Sequence, residues 1–429
     1  MMYIDSAIVA VFMQQTEKNL RQRLKKEKNM VFDCIIIGAG AAGVVCAIEA
    51  GSRKKKILLL EHKDRILKKV LVTGNGRCNF TNLNADYTKY TGINEKLIKN
   101  LLNNYGSSKV INFFENLGIC PYTENKGKTY PRSLQASSIV DSLRLKLDEL
   151  NIETKLEYII DKIEKNGELF CVNNKYYSKK LVLATGGYSY QNLGSDGSGY
   201  NLAKKFGHSL TELTPILVQL KTEKEYVKGL EGIKVDAVVS AEYMNECIRK
   251  EKGELLFTPY GISGPTIFNL SYLLPKYMFN LVYSVDFVPE MEEFELVQYL
   301  YKRKKILNKL EATEFLNGFL PKKLGMFLLK KAGIDKLNLS IKEIDDKTIN
   351  KLANLLKKYK IKANDTMGFK QAQVTAGGIN TKDINEITLE SKLVKGLYFV
   401  GEIMDIYGEC GGYNLQFAFA TGLLVGGEI

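Results

Sequence analysis

Histidine is scarce. The 429-residue chain has two, His62 and His208, with no HxxxH-type spacing, so a histidine-based metal site lacks material. Seven cysteines form an odd set without a CxxC pair, which excludes a disulfide framework and leaves reduced thiols in a cytoplasmic setting as the expectation. Long apolar runs are missing as well. Ser6 to Met13 is far below the roughly 20 residues of a membrane helix, so no membrane partner is expected. The basic cluster Arg21, Arg23, Lys25, Lys26 and Lys28 follows that run, whereas a secretory signal would place charge first. Residues 1–29 therefore read as an N-terminal extension, weakly ordered, ahead of the first strand. Prolines and glycines are dispersed, which excludes collagenous and low-complexity classes, and no tandem repeat is found.

What the chain does have is globular composition, with 45% hydrophobic and 25% charged residues, and length enough for two or three domains. The formal net charge is +13. Its basic residues read as scattered over a solvated surface, and no segment resembles a nucleic-acid module, so nucleic acid is not an expected partner.

Phe32–Ile37 is a continuous apolar run, as for a strand buried on both faces. The turn Gly38-Ala39-Gly40-Ala41-Ala42-Gly43 follows at once, then an Ala- and Val-rich helix to Ser52 and a second strand, Lys56–Leu60, ending at Glu61. This is a βαβ unit of about 30 residues, the size of a dinucleotide-binding start. Ile98–Leu117 and Ser137–Leu150 have helical periodicity, Glu153–Ile163 alternates like a strand, and Lys180–Thr185 is another buried strand stopping at Gly186-Gly187. From about 190 the character shifts. Pro215–Leu220 and Gly232–Tyr243 suggest strands, and Glu292–Lys357 is Lys- and Leu-rich with helical spacing. Sheet language returns near Met367, with Gln373–Gly378 and Gly396–Glu402. The expected fold is α/β: a discontinuous Rossmann-like nucleotide-binding domain (30–189 and 363–429) around an insert (190–362), β-rich over about 190–265 and helical over about 290–357.

In the turn, Gly38 permits the tight reversal, Gly40 lets backbone approach a pyrophosphate, and Gly43 seats the helix close to the strand. The helix start then offers unpaired N–H groups and a positive dipole end. Glu61 stands where a carboxylate meets the ribose hydroxyls and would repel a 2′-phosphate, so FAD or NAD fits this position and NADP does not. Alone, these glycines admit either dinucleotide. The polar loop Lys68–Asn82, punctuated by Gly74 and Gly76, suits an extended ligand running towards a flavin.

The stretch Thr73–Asn82 (TGNGRCNFTN) resembles the signature of the BaiN/YhiN-like family of NAD(P)/FAD-dependent oxidoreductases, also described as aminoacetone-oxidase-like FAD-binding enzymes. Four further segments are similar to that family in order: Ala184–Ser189 with Gly194–Tyr200, Leu256–Thr258 with Gly261–Pro265, Thr375–Gly378, and Gly411–Gln416. The match runs from about residue 30 to the end. Two departures stand out. Pro259 replaces a His common after the Phe-Thr pair, so no proton-transfer role is carried over there. Leu67 replaces a Gly before two basic residues, which is expected to alter the local turn.

The resemblance implies a glutathione-reductase or fumarate-reductase type fold and an FAD cofactor. It implies cofactor contacts from Gly38, Gly40, Ala41, Ala42, Gly43 and Glu61, with His62 beside them facing away, and from Lys69, Asn75, Gly76, Arg77, Cys78 and Asn79. Thr185, Gly186, Gly187, Gly378, Gly401, Glu402, Asp405, Gly412, Tyr413, Asn414 and Gln416 complete the set. Asp405 would contact the ribityl chain or phosphates. The helix after Gly411-Gly412 would point its N-terminus at the flavin N1–C2=O edge, where its dipole stabilises negative charge. Arg77 is the candidate for an electrostatic role, Asn79 and Asn414 for hydrogen bonding. Cys78 and Cys410 read as small buried residues rather than a redox pair, and His208 as marking a helix end.

There is one dinucleotide fingerprint and no second GxGxxG, which argues against a separate nicotinamide domain. The leading expectation is hydride transfer from NAD(P)H through FAD to a small organic acceptor, concretely a conjugated enone, since bile-acid enone reduction is attributed to part of the resembling family. A flavin amine oxidase using O2 and a non-catalytic flavin-binding or tRNA-associated protein are the alternatives. No catalytic acid or base and no metal ligand is identified.

Overall fold

The computed structural model describes residues 31–429; the expectation for residues 1–29 lies outside them. Two compact units emerge: one built from residues 31–187, Leu193–Thr211 and Gly377–Ile429, the other from Tyr188–Asn192 and Glu212–Ala376. Residues 193–211 thus pack with the nucleotide unit and 363–376 with the insert, so both breaks differ from 190 and 362.

In the first unit, β1 (Val31–Ile37), α1 (Ala41–Ser52) and β2 (Ile57–Leu60) form the expected βαβ start. Cys34, Ile35 and Ile36 of β1 have no exposed surface, because strands flank β1 on both sides and helices cover its faces. β3 (Glu153–Lys155) pairs parallel to β2, while β4 (Ile163–Asn166) and β5 (Leu169–Val172) form an antiparallel flap against β6 (Tyr176–Leu183). The order is β3-β2-β1-β6-β5-β4. β6 leads into a polar loop and α2 (Ser198–Lys205), entered through Gly197 at φ 77°.

The insert is a closed six-stranded barrel, ordered β7-β10-β9-β8-β11-β12. Its strands are β7 (Leu220–Thr222), β8 (Lys234–Tyr243), β9 (Glu246–Thr258), β10 (Gly261–Ser263), β11 (Val282–Asp286) and β12 (Tyr359–Thr366). β8 and β9 are joined by Met244-Asn245, both at positive φ (50° and 66°), the geometry a two-residue hairpin needs to match strand twist. The β-rich region therefore does not end near 265; its last strand follows the helical part, because closing a barrel requires β12 to pair with both β7 and β11.

Between those strands lie α3 (Glu293–Ile306), α4 (Lys322–Ala332) and α5 (Asp346–Lys357). α5 packs against α3, α4 and the β11–β12 pair, burying Ile349, Leu352, Ala353 and Leu356. A reciprocal Glu292/Glu295 box starts α3, and the Asp345 carboxylate accepts from the Thr348 N–H at the start of α5. The positive charge is uneven: seventeen Lys and Arg against six Asp and Glu lie between residues 302 and 362.

The chain then returns to the first unit. β13 (Leu397–Phe399) pairs parallel with the end of β6, and α6 (Tyr413–Glu428) lies on α1. The two helix backbones touch. A Cβ at Gly422 would stand 2.5 Å from the Ala42 carbonyl oxygen, and one at Gly426 would stand 2.8 Å from that of Cys46. Glycine at that four-residue spacing is what admits so close a crossing.

Candidate functional site

The glycine turn is set by contact with the neighbouring strand end. Gly38 sits at φ 101°, and a Cβ there would lie 2.5 Å from the Ala184 carbonyl oxygen; one at Gly43 would lie 2.0 Å from that of Gly38. Gly40 is different. It begins α1 with no side-chain cap, and a Cβ there would meet nothing within 4 Å. The opening turn of α1 at Ala41 and Ala42 thus faces a space that the fold itself does not fill, beside N–H groups with no intrahelical partner. That is a cradle for an anion.

Glu61 is buried and braces this cradle. One carboxylate oxygen accepts from Ala39 N–H and the other from Lys63 N–H, each at 2.8 Å. Burial pushes its pKa up, but hydrogen bonds from His62, Lys63 and Ala39 outweigh that and leave it below the usual value. A carboxylate oxygen has two lone pairs, so ribose hydroxyls can still be accepted. His62 lies with Nδ1 3.2 Å from Glu61 and Nε2 3.6 Å from Asp196, the latter too long for a hydrogen bond.

Leu67 occupies the conformation that glycine would take. Its φ is 59°, its side chain is 1% exposed, and its N–H donates to Ala39 O at 2.9 Å. A left-handed leucine costs ~1–2 kcal/mol, and burying its side chain offsets about as much.

The first loop meets the C-terminal segment here. Lys69 Nζ is 2.7 Å from Glu402 Oε2. Asn75, Gly74 and Gly76 all have positive φ, which folds the loop back on itself, and a Cβ at Gly76 would meet nothing within 4 Å. Gly412, which starts α6 at φ 96° without a side-chain cap, stands against this loop: a Cβ there would strike Thr81 O and Asn79 Oδ1. The N-terminus of α6 at Tyr413 therefore sits beside Asn79–Thr81. Gly401 packs on Ala42 and donates its N–H to Thr421 Oγ1 at 2.9 Å. Gly378, at φ 157°, lets the chain run against the backbone of Ile403, Met404 and Asp405. Asp405 is buried; burial holds its carboxyl above the usual range, partly offset by hydrogen bonds from Thr211 and the Gly377 N–H.

Several expected ligand groups are engaged elsewhere. Arg77 reaches Glu124 at 3.1 Å and stacks 4.7 Å over the Tyr130 ring, so its charge is partnered away from the glycine turn. Asn79 Oδ1 accepts from Thr129 N–H. Asn414 exchanges hydrogen bonds with the backbone of Gly408, and fully buried Gln416 joins Thr81 to Tyr105 O. These side chains hold the loops in place. Burial pushes the Cys78 thiol up to about 12, which leaves it protonated and unreactive. His208 is buried, paired with Ser391 Oγ at 2.7 Å and edge-on to Phe399; burial lowers its pKa and keeps it neutral.

Two hydroxyls come forward here; Thr185 was expected in the site from the sequence and Tyr200 was not. Both are buried, and among the described residues neither finds a hydrogen-bond partner. Tyr200 is 4% exposed, and its pKa is raised by burial and by the carboxylates of Glu402 and Asp405. Thr185 follows β6, precedes the left-handed Gly186 and lies against Gly199. Orphaned donors beside the cradle fit a polar ligand, and the sequence marked Tyr200 only as the end of a glycine-rich stretch.

This assembly has the parts for FAD: the open start of α1 for pyrophosphate, Glu61 for ribose, and Asp405, the orphaned hydroxyls and the start of α6 for what lies beyond. The fold and site define an FAD-dependent oxidoreductase with a Rossmann-type binding domain. The chain belongs to the family described as HI0933-like protein Rossmann domain, whose model matches residues 32–428.

Among its relatives, it is 36% identical over 400 residues to the 3-dehydro-bile acid delta(4,6)-reductase of Clostridium scindens, covering 91% of this chain and 97% of that protein. It is 31% identical over 397 residues to the ribosomal RNA dihydrouridine synthase of Escherichia coli, covering 91% and 96%. Among solved structures, 3-ketosteroid-delta4-(5alpha)-dehydrogenase from Rhodococcus jostii RHA1 aligns at 13% identity and a TM-score of 0.46, over 92% of this chain and 96% of that one.

Proposed function

We propose that this protein reduces a carbon–carbon double bond conjugated with a carbonyl group, using NAD(P)H as the electron source. One observation carries the reading. Two relatives with dissimilar substrates share one chemical step in their names: a delta(4,6)-reductase of a 3-oxo bile acid and a synthase of dihydrouridine both saturate a C=C bond conjugated to C=O. FAD supplies the hydride when bound. The chain's own part is to hold and orient. Gly40 and the first turn of α1 hold the pyrophosphate, Glu61 the ribose, and the first turn of α6 sets positive potential at the far end.

The acceptor is a steroid-like enone or the uracil ring of an RNA. The basic segment 302–362 favours the second, since a small substrate leaves it unexplained.

Anaerobic mixing of the FAD-loaded protein with NADH and NADPH, followed by a 3-oxo-4-ene steroid or an RNA lacking dihydrouridine, tests this. Bleaching at 450 nm by a nicotinamide and its return with either acceptor are expected. Bleaching by an amine alone, with peroxide formed on aeration, would overturn the reading in favour of an oxidase.

A further inference from the structure

We infer that the outer face of the α3–α5–α4 helical layer is a docking surface for the phosphate backbone of a structured RNA. This rests on the uracil branch of the proposed function. α5 lies on the barrel strands β11 and β12 with α3 and α4 on its two sides, so the apolar stripes of the three helices point into one core. Leu296 and Leu300 of α3, Leu324, Leu328 and Leu329 of α4, and Ile349, Leu352 and Leu356 of α5 are all buried there. Their opposite faces are left to solvent.

Those faces carry lysine. Lys302 and Lys305 on α3, Lys330 and Lys331 on α4, and Lys347 and Lys351 on α5 are exposed, and none has a carboxylate of the described residues within ion-pair distance. The segment's ion pairs use other lysines: Lys322 with Glu314, Lys357 with Asp286, Lys358 with Glu293, and Lys360 with Glu242. Of the nearby acids, Asp345 is held by its cap to Thr348, although Lys304 and Lys347 lie within its field. The acidic residues of α3, Glu293 and Glu295, sit at its opposite end.

Unpaired like charges on one layer repel one another and are stabilised by a polyanion that spans them. Lys302 and Lys305 are about 4.5 Å apart along the helix axis, and Lys347 and Lys351 about 6 Å. That density suits a backbone of closely spaced phosphates better than a single small anion. An anionic membrane is the weaker match: the exposed apolar residues here, Phe294 at one end of α3 and Ile306 and Leu310 at the other, are three separated side chains rather than a face able to insert.

The test uses the FAD-loaded full chain and a fluorescent RNA hairpin, with binding read by anisotropy across a salt series. Wild type should bind with affinity falling steeply as salt rises. The variant Lys302→Gln/Lys305→Gln/Lys347→Gln/Lys351→Gln should bind at least tenfold more weakly, with its salt dependence flattened, at unchanged flavin absorbance and melting temperature. Lys250→Gln/Lys252→Gln on strand β9 should bind like wild type. Equal affinity for the fourfold variant, equal loss in the β9 control, or binding only to phosphatidylglycerol vesicles would each overturn the inference. Failure here with intact steroid-enone reduction leaves the proposed chemistry standing; RNA binding without any nicotinamide-driven bleaching does the reverse.

Discussion

Lys69 and Glu402 are 333 positions apart in the chain and meet at 2.7 Å, each only about one-fifth exposed. This ion pair joins the loop after the first βαβ unit to the strand end that leads into α6. A partly buried pair in a defined geometry is worth about 1 kcal/mol after solvent screening. A double-mutant cycle with Lys69→Ala and Glu402→Ala, read by thermal or urea unfolding, should therefore show coupling near ~1 kcal/mol. Additive losses would mean the two side chains act separately.

The glycines of the turn should divide under substitution. Gly40→Ala adds a methyl that meets nothing in the protein, so the variant should fold with stability within about 1 kcal/mol of wild type and yet lose most of its FAD. Gly43→Ala forces a methyl to within 2.0 Å of Gly38 O and should lower stability and FAD content together. Melting temperatures of the apoproteins alongside flavin absorbance separate the two.

Glu61 predicts an acid limit. Its folded pKa lies below the ordinary 4.5, so its stabilising contribution is fully present above that value and is lost as pH falls through the folded pKa. Flavin release, followed by fluorescence, should set in below about pH 4.5 in wild type. Glu61→Gln should hold FAD more weakly at neutral pH and lack that acid transition. An unchanged acid profile in the variant would assign the transition to another carboxylate.

Tyr200 buries a hydroxyl with no partner, an arrangement that costs about 1–3 kcal/mol. Tyr200→Phe should therefore leave the apoprotein as stable as wild type or more so, while weakening FAD binding several-fold. Calorimetry of the apo form and equilibrium titration with FAD check both directions. Unaltered FAD affinity would leave the hydroxyl without a role towards the cofactor.

Legibility in the sequence followed the range of the interactions. Phe32 to Glu61 could be read because every requirement there is local: an apolar strand, glycines at fixed offsets, a carboxylate closing the next strand. The strand that rejoins the first sheet, Leu397–Phe399, was visible too, since buried strands are apolar runs wherever they occur. The barrel was not. Its last strand, Tyr359–Thr366, alternates in burial but carries lysines outward, and no local signal ties it to strands more than 70 residues earlier. Side-chain direction was equally hidden. Arg77, Asn79, Asn414 and Gln416 are polar residues in glycine-rich loops whether they face a cofactor or a neighbouring loop, and only the pairing with Glu124, Thr129, Gly408 and Thr81 decides. Leu67 shows the converse: an apolar residue can hold a left-handed position when the core takes its side chain.

The glycine crossing of α6 on α1 has a consequence for biosynthesis. The α1 face that meets Gly422 and Gly426 is made some 370 residues before its cover, on the order of half a minute of synthesis. Once Ala376 has been made the insert has all its strands and helices and can close, while the nucleotide unit still waits with Ala42, Val45 and Cys46 uncovered. Nascent chains are thus predicted to present a folded insert tethered to an incomplete cofactor domain. Flavin uptake becomes a marker that the last helix has arrived.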